Sequence, residues 1–327
     1  MAHTEIPPVS SSSPVVKALA GLAALAIAMG IGRFAFTPIL PMMLQDAGLT
    51  IADGGLLASA NYLGYLLGAL SAIVIRVRAE TAIRTGLVVI GVTTLAMGAH
   101  LPFAAWLALR LVAGIASAWV LISVSAWCLE TFARYRRPGL NSVVFAGVGT
   151  GIAAAGLLCI ALIHAQAGSA SAWVLSGVLA LVVTAGIWGV FSWHQTPTTA
   201  AAEPQPTAHE KYRWDAESLR MVFCYGMFGF GYIIPATFLP VMAKNALHDS
   251  TLFGWSWPVF GLAAALSTLA AAWLSRRAGN RRVWAASHIV MAAGVALPAL
   301  WSNILTVFAA TLCVGGTFMV ITLAAMQ

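Results

Sequence analysis

Residues 16–44 read VKALAGLAALAIAMGIGRFAFTPILPMML. Only Lys17 and Arg33 are charged in this stretch. A helix that crosses the hydrocarbon core of a bilayer needs about 20 mostly apolar residues, so the stretch is long enough to span a membrane, with an arginine well inside it. Nine further stretches of the same kind follow, at 54–75, 85–99, 102–129, 140–164, 172–193, 219–243, 252–274, 283–300 and 304–325. With 60% of residues hydrophobic and 8% charged, the chain has too little polar surface to cover a water-soluble core of this length. The pattern predicts an all-α membrane protein with ten transmembrane helices and lipid as its solvent.

A formal charge of +7 raises nucleic acid as a partner, and the placement of the charges argues against it. Lys17, Arg76, Arg78, Arg84, Arg134, Arg136, Arg137, Lys211, Arg213, Arg220, Arg276, Arg277, Arg281 and Arg282 all fall at alternate connections, while Lys244 alone falls in the other set, beside Asp46, Asp53 and Asp249. Excess Lys and Arg marks cytoplasmic loops. The expected location is therefore a bacterial inner (cell) membrane, crossed many times, with the N-terminus in the cytoplasm. Cys128, Cys159, Cys224 and Cys313 stand alone in apolar segments and read as packing residues, so no metal site is expected.

Residues 1–15, with Pro7, Pro8 and a serine run, read as a flexible cytoplasmic tail, and the apolar run that follows is too long for a cleaved signal peptide. The polar stretch 195–217, with Pro197, Pro204 and Pro206, reads as a cytoplasmic linker. It separates a lobe of six helices, 16–194, from a lobe of four, 218–327. At an offset of 199 residues, Gly30 and Gly32 fall on Gly229 and Gly231, Pro41 on Pro240, Met43 on Met242, Gly55 on Gly254, and Arg78 on Arg277. Each lobe thus opens with a helix whose middle is loosened by glycine, and interrupted helices in corresponding positions of two halves point to a transporter's binding site. Close packing of helices at the glycines is the competing reading.

Two parallel lobes joined by a linker resemble the major facilitator superfamily, and particular residues carry the resemblance. Residues 109–116, LRLVAGIA, resemble that superfamily's Arg-x-x-x-Gly motif, through Arg110 and Gly114. Gly147, Gly149, Gly151 and Gly156 resemble its glycine-rich fifth helix. Residues 275–282, SRRAGNRR, including Arg276, Arg277 and Arg281, resemble its basic loop, with Ser275 where an acid is usual. Residues 30–43, GIGRFAFTPILPMM, look like the first-helix signature of the YbfB/YjiJ-type branch. The resemblance covers the whole chain and implies a two-lobed bundle that transports a solute. Such proteins usually have twelve helices, so the sequence reads as lacking the last two, as a fragment or a naturally shortened form.

Arg33 lies about 15 Å from the outer end of its helix, where an arginine costs about 2.5–3.5 kcal/mol on insertion scales. It is expected to face protein or water. Helical spacing puts Met29, Arg33, Thr37 and Leu40 on one face, and Arg110, Gly114, Ser117, Leu121 and Ser125 on another. Both arginines are therefore candidates to look into one cavity between the lobes, offering forked donors to a carboxylate or phosphate. Arg110 has a second reading, pairing with carbonyls at a neighbouring helix end. Asn61, Tyr65, Trp119, Tyr225 and Tyr232 are further candidates to line the cavity, His288 reads as a hydrogen-bonded packing residue, and Trp214 and Trp301 as interfacial anchors. No carboxylate falls mid-membrane, which disfavours a carrier of cations.

The leading expectation is a secondary active transporter for a small anionic or polar organic solute, working by alternating access, with membrane lipid, the solute and a coupling proton or ion as partners. No nucleotide-binding GxxxxGK[ST], HExxH or GxSxG sequence occurs, so neither a cofactor nor enzymatic chemistry is expected. A non-transporting receptor or scaffold, or an inactive truncated transporter, is the alternative.

Overall fold

A computed structural model describes residues 13–191, 215–246, 254–301 and 303–325, and the regular structure there is helical. Helix α1 (Pro14–Leu25) passes without a gap into a π-helical segment (Ala26–Phe34) and then into α2 (Phe36–Asp46). There follow α3 (Ile51–Val74), α4 (Ala79–Ala96), α5 (Phe103–Arg134), α6 (Leu140–His164), α7 (Ser169–Ile187), α8 (Ala216–Ala246), α9 (Ser256–Ala278), α10 (Asn280–Leu300) and α11 (Ile304–Ala325). Among the described residues nine runs are long and apolar enough to cross a membrane, the first being Pro14–Asp46 taken whole. The tenth expected segment corresponds to α9, whose apolar part, Ser256–Ala271, is shorter.

Several ends differ from the sequence reading. The tail expected to reach residue 15 gives way to helix at Pro14, where proline fits because a first-turn N–H has no helical partner; Ser13 caps that turn by accepting from the Val16 N–H at 3.3 Å. The third span starts at Ala79 rather than 85, because Glu80 and Arg84 belong to the helix although they interrupt the apolar run. The tail 1–12, the end of the first lobe and most of the linker (together 192–214, with Lys211, Arg213 and Trp214) and Asp249 lie outside the described residues.

The acids at helix ends are used there as caps. Asp53 and Thr50 form a reciprocal box at the start of α3, with Thr50 N–H to Asp53 Oδ2 at 2.9 Å and Asp53 N–H to Thr50 Oγ1 at 3.1 Å. Asp46, at the end of α2, accepts from the Ser169 backbone N–H at 2.5 Å and its hydroxyl at 2.7 Å, so it holds the first turn of α7. Asp215 precedes α8, and hydrogen bonds from Ser218, side chain first and then backbone, hold its carboxyl below its usual range.

Helix packing is set largely by glycine. A Cβ on Gly147 would sit 2.1 Å from the Leu22 carbonyl oxygen, and one on Gly151 2.3 Å from that of Ala26, so α6 lies backbone to backbone against α1 and the π segment. Lipid gives helices no hydrophobic drive to associate, so close van der Waals approach takes over that role. The same device joins the first group of helices, α1–α7, to the second, α8–α11. A Cβ on Gly149 would lie 2.5 Å from the Gly261 carbonyl oxygen, and one on Gly261 2.3 Å from the Ala153 nitrogen. α6 and α9 are therefore the tightest seam between the groups, reinforced by Phe34 ringed by Trp257 and Phe318 at 6.3 and 6.1 Å between centroids.

Gly147→Val is expected to cost about 1–3 kcal/mol through overpacking and to lower the melting midpoint of the detergent-purified protein. Gly226→Ala, where nothing lies within 4 Å of the added methyl, should leave that midpoint unchanged in the same thermal scan.

Candidate functional site: a cavity between the two helix groups

The π segment begins the site. Gly30 and Gly32 are poor helix formers, and Pro38 withholds one N–H from the helix beyond. At π spacing the donor to the Arg33 carbonyl would be residue 38, a proline, so that carbonyl needs a partner from elsewhere. It finds one in α5. Arg110 Nη2 donates to the Arg33 carbonyl at 3.3 Å and Nη1 to the Gly32 carbonyl at 3.2 Å. Asn61 of α3 adds its Nδ2, at 3.4 Å from the Gly32 carbonyl and 2.9 Å from that of Arg110. The Arg110 guanidinium also lies over Phe36 and Trp173, 4.8 and 5.8 Å from the ring centroids.

Arg110 is thus only 2% exposed and does not line the cavity between the groups. The expectation that both arginines look into one cavity is corrected: the second reading, pairing with carbonyls of a neighbouring helix, describes Arg110. The physical reason is that the irregular backbone around Pro38 leaves acceptors that a buried cation satisfies well.

Arg33 is placed differently. Its guanidinium borders a cavity of about 590 Å³ between α3 and the π segment on one side and α8 and α11 on the other. It lies 4.5 Å from the Tyr65 ring centroid, 5.4 Å from that of Tyr62 and 5.3 Å from that of Phe34. Its Nε is buried without a hydrogen-bond partner. The only ion pair among the described residues is the surface pair Arg134–Glu130, so no carboxylate neutralises Arg33 there.

Of the other candidates, Tyr65, Tyr225 and Tyr232 border the cavity, and so does Gly229. Thr37, Asn61 and Trp119 do not. Thr37 is 3% exposed in the core, and Trp119 donates its Nε1–H to Ser71 Oγ at 2.9 Å between α5 and α3. Gly30 and Gly32 are packing positions, against the Gly151 backbone at 2.4 Å and Ser117 Oγ at 2.7 Å from an added Cβ, and Gly114 meets the Asn61 carbonyl oxygen at 2.1 Å. Pro41 stands inside α2. Gly231, like Gly229, has nothing within 4 Å of an added Cβ, and both lie in the unbroken helix α8. The expected loosening is therefore present in the first helix and absent from its counterpart, although Pro235 follows the glycines of α8 much as Pro38 follows those of the first run; in the first run Arg110 and Asn61 supply donors to the carbonyls there.

Arg276 and Arg277 end α9, Arg277 lying 4.3 Å from the Trp273 ring centroid, and Arg281 is exposed at the start of α10. Gly279 between them has φ +82°, a conformation open to glycine. His288 is, as expected, a hydrogen-bonded residue, its Nδ1 2.8 Å from the Trp284 carbonyl oxygen.

Sequence reasoning missed Tyr62, Phe228, Thr237 and Phe318. A signal was there: Gly55, Ala58, Tyr62 and Tyr65 recur at spacings of three or four, and so do Tyr225, Phe228 and Tyr232. Tyr65 belongs to that stripe, whereas Asn61 belongs to the glycine stripe of Gly64 and Gly68 that meets α5. Tyr62 also bridges the groups. Thr237 uses its own proton on the Ile233 carbonyl at 2.6 Å, so the Tyr62 hydroxyl donates to Thr237 Oγ1, at 2.5 Å.

The family model described as "Uncharacterised MFS-type transporter YbfB" matches residues 25–327. The chain belongs to the major facilitator superfamily. It is an MFS-type transporter family member, a multi-pass membrane protein of a family of transporters rather than enzymes, and membership brings a small-molecule solute as its ligand in general terms. No curated protein matches the chain at a significant level.

The two arginines of this MFS chain should respond oppositely to neutral replacement. Arg110→Met strands two carbonyls and is expected to destabilise by about 1–3 kcal/mol per lost partner. Arg33→Met removes a cation that has no anionic partner and should leave the thermal midpoint unchanged or raised, as read by size-exclusion fluorescence after heating.

Proposed function

We propose that this chain is a secondary active transporter that moves a small anionic or polar organic solute across a bacterial inner membrane by alternating access. In this reading residues 16–194 and 218–327 are the two moving lobes, the N-terminus and the basic connections face the cytoplasm, and Arg33 is the solute's charged contact. The observation that carries the proposal is the Arg33 guanidinium, bordering the cavity between the helix groups with aromatic rings beside it and no carboxylate partner.

A cation kept at that depth without an anion is a standing electrostatic cost unless an anion visits. The walls on either side belong to different helix groups, so a solute held there would be touched by both, which is what coupling of binding to rocking requires. Tyr65 and Tyr232 supply hydroxyls for a polar solute from opposite walls. Arg110 and Asn61 are placed to hold the backbone from which Arg33 projects, so their part in transport is to position it.

The test is uptake and counterflow of a panel of labelled organic anions in proteoliposomes. Arg33→Ala is expected to lower the rate for every accepted anion by about tenfold or more, as loss of a charge-assisted contact implies, while Arg33→Lys retains part of it. Parental rates in Arg33→Ala for all accepted solutes would remove Arg33 from the site.

A further inference from the structure

The geometry points to a narrower ligand class for the same cavity: a monoanion whose single carboxylate is joined to an aromatic or similarly flat apolar body. This rests on the transporter reading above for its physiological sense, but it concerns binding and is tested by binding alone.

The charge follows from the wall. Arg33 is the only charged residue bordering the cavity among the described residues, since Arg110 spends its donors on carbonyls behind it. One negative charge makes the occupied cavity neutral. A second would be buried without a counter-ion, and a buried unpaired charge is expensive. A neutral solute would leave the guanidinium as it stands, unpaired.

The headgroup follows from how the guanidinium is approached. Tyr65, Tyr62 and Phe34 crowd it within 4.5–5.4 Å between its carbon and their ring centroids. The contacts still on offer are the N–H groups of Nη1 and Nη2, since Nε is buried. Donors in that planar fork match a carboxylate.

The body follows from the opposite wall. Phe228 stacks on Tyr232 at 4.9 Å and 15° between planes, and Tyr232 on Phe318 at 5.7 Å and 22°. This stack belongs to the helices across the cavity from the arginine; the polar groups near it are Tyr225 and Thr322, whose hydroxyls are 3.4 Å apart, Thr237, whose hydroxyl is engaged with Tyr62 and the Ile233 carbonyl, and His288, 5.7 Å from Phe228 between ring centroids. A hydrated inorganic anion or a short-chain acid leaves that wall uncovered, whereas a ring covers it by offset or edge contact, the arrangements aromatic pairs prefer. A volume of about 590 Å³ falls within the usual size of small-molecule sites.

The experiment measures equilibrium binding to the full chain in detergent, by isothermal titration, with benzoate, benzamide, phthalate and acetate as probes. Benzoate is expected to bind about tenfold or more tightly than each of the other three, at a pH where phthalate is a dianion, in keeping with loss of a charge pair or of the aromatic contact. Arg33→Met should abolish the preference for benzoate over benzamide, and Phe228→Ala the preference for benzoate over acetate, in protein that elutes as a single folded species. Phthalate or benzamide binding as tightly as benzoate overturns the assignment, as does absence of benzoate binding to the folded parent. Benzoate binding as described without transport in vesicles would instead overturn the transporter reading and leave this one standing.

Discussion

A cation inside a helix bundle in lipid has to be given acceptors or access to something that replaces water, and the two intramembrane arginines meet that constraint in opposite ways. Arg110 takes the first course, donating to the Gly32 and Arg33 carbonyls where helical hydrogen bonding is interrupted. Arg33 takes the second, beside a cavity and among aromatic rings. The two are linked, because the carbonyl that Arg110 holds belongs to Arg33 itself. The interruption of the first helix therefore creates the acceptors that bury one arginine and fixes the backbone that aims the other.

The rest of the bundle serves that arrangement. Glycines bring α6 against α1 and the π segment, which braces the interrupted stretch. Met29 and Arg33 border the cavity. Between the helix groups, the close approach of α6 to α9 at Gly149 and Gly261 forms a seam, while the Tyr62–Thr237 hydrogen bond is a polar link across the gap. Backbone seams of this kind are suited to pivoting as rigid units, and a hydroxyl pair is cheaply exchanged for contacts to a solute.

Much of this was legible in the residues. The ten apolar runs, the intramembrane Arg33 and the glycine-rich fifth span follow from composition and spacing, since lipid leaves few other ways to satisfy a backbone. The positions of Tyr65, Tyr225 and Tyr232 on the cavity were legible for the same reason of helical period. What sequence alone did not resolve was which polar stripe of α3 faces the cavity and which faces α5: Asn61 and Tyr62 are neighbours, and only the glycines opposite Leu111 and Ile115 decide between them. The fate of Arg110 depended likewise on a contact made across 77 residues, to a carbonyl freed by a local break that the matching glycines of α8 do not produce.

The reading of Arg33 requires that position 33 opens on a solute-accessible gap while position 37, about one turn further along, does not. In a background with Cys128, Cys159, Cys224 and Cys313 replaced, single cysteines at 33 and at 37 can be compared for their rate of reaction with a membrane-impermeant anionic thiosulfonate in vesicles opened on both sides. Arg33→Cys is expected to react and to be protected by an accepted anion, and Thr37→Cys, at a position 3% exposed, to stay unreacted. Equal rates at both positions, or an inert cysteine at 33 in folded protein, would contradict it.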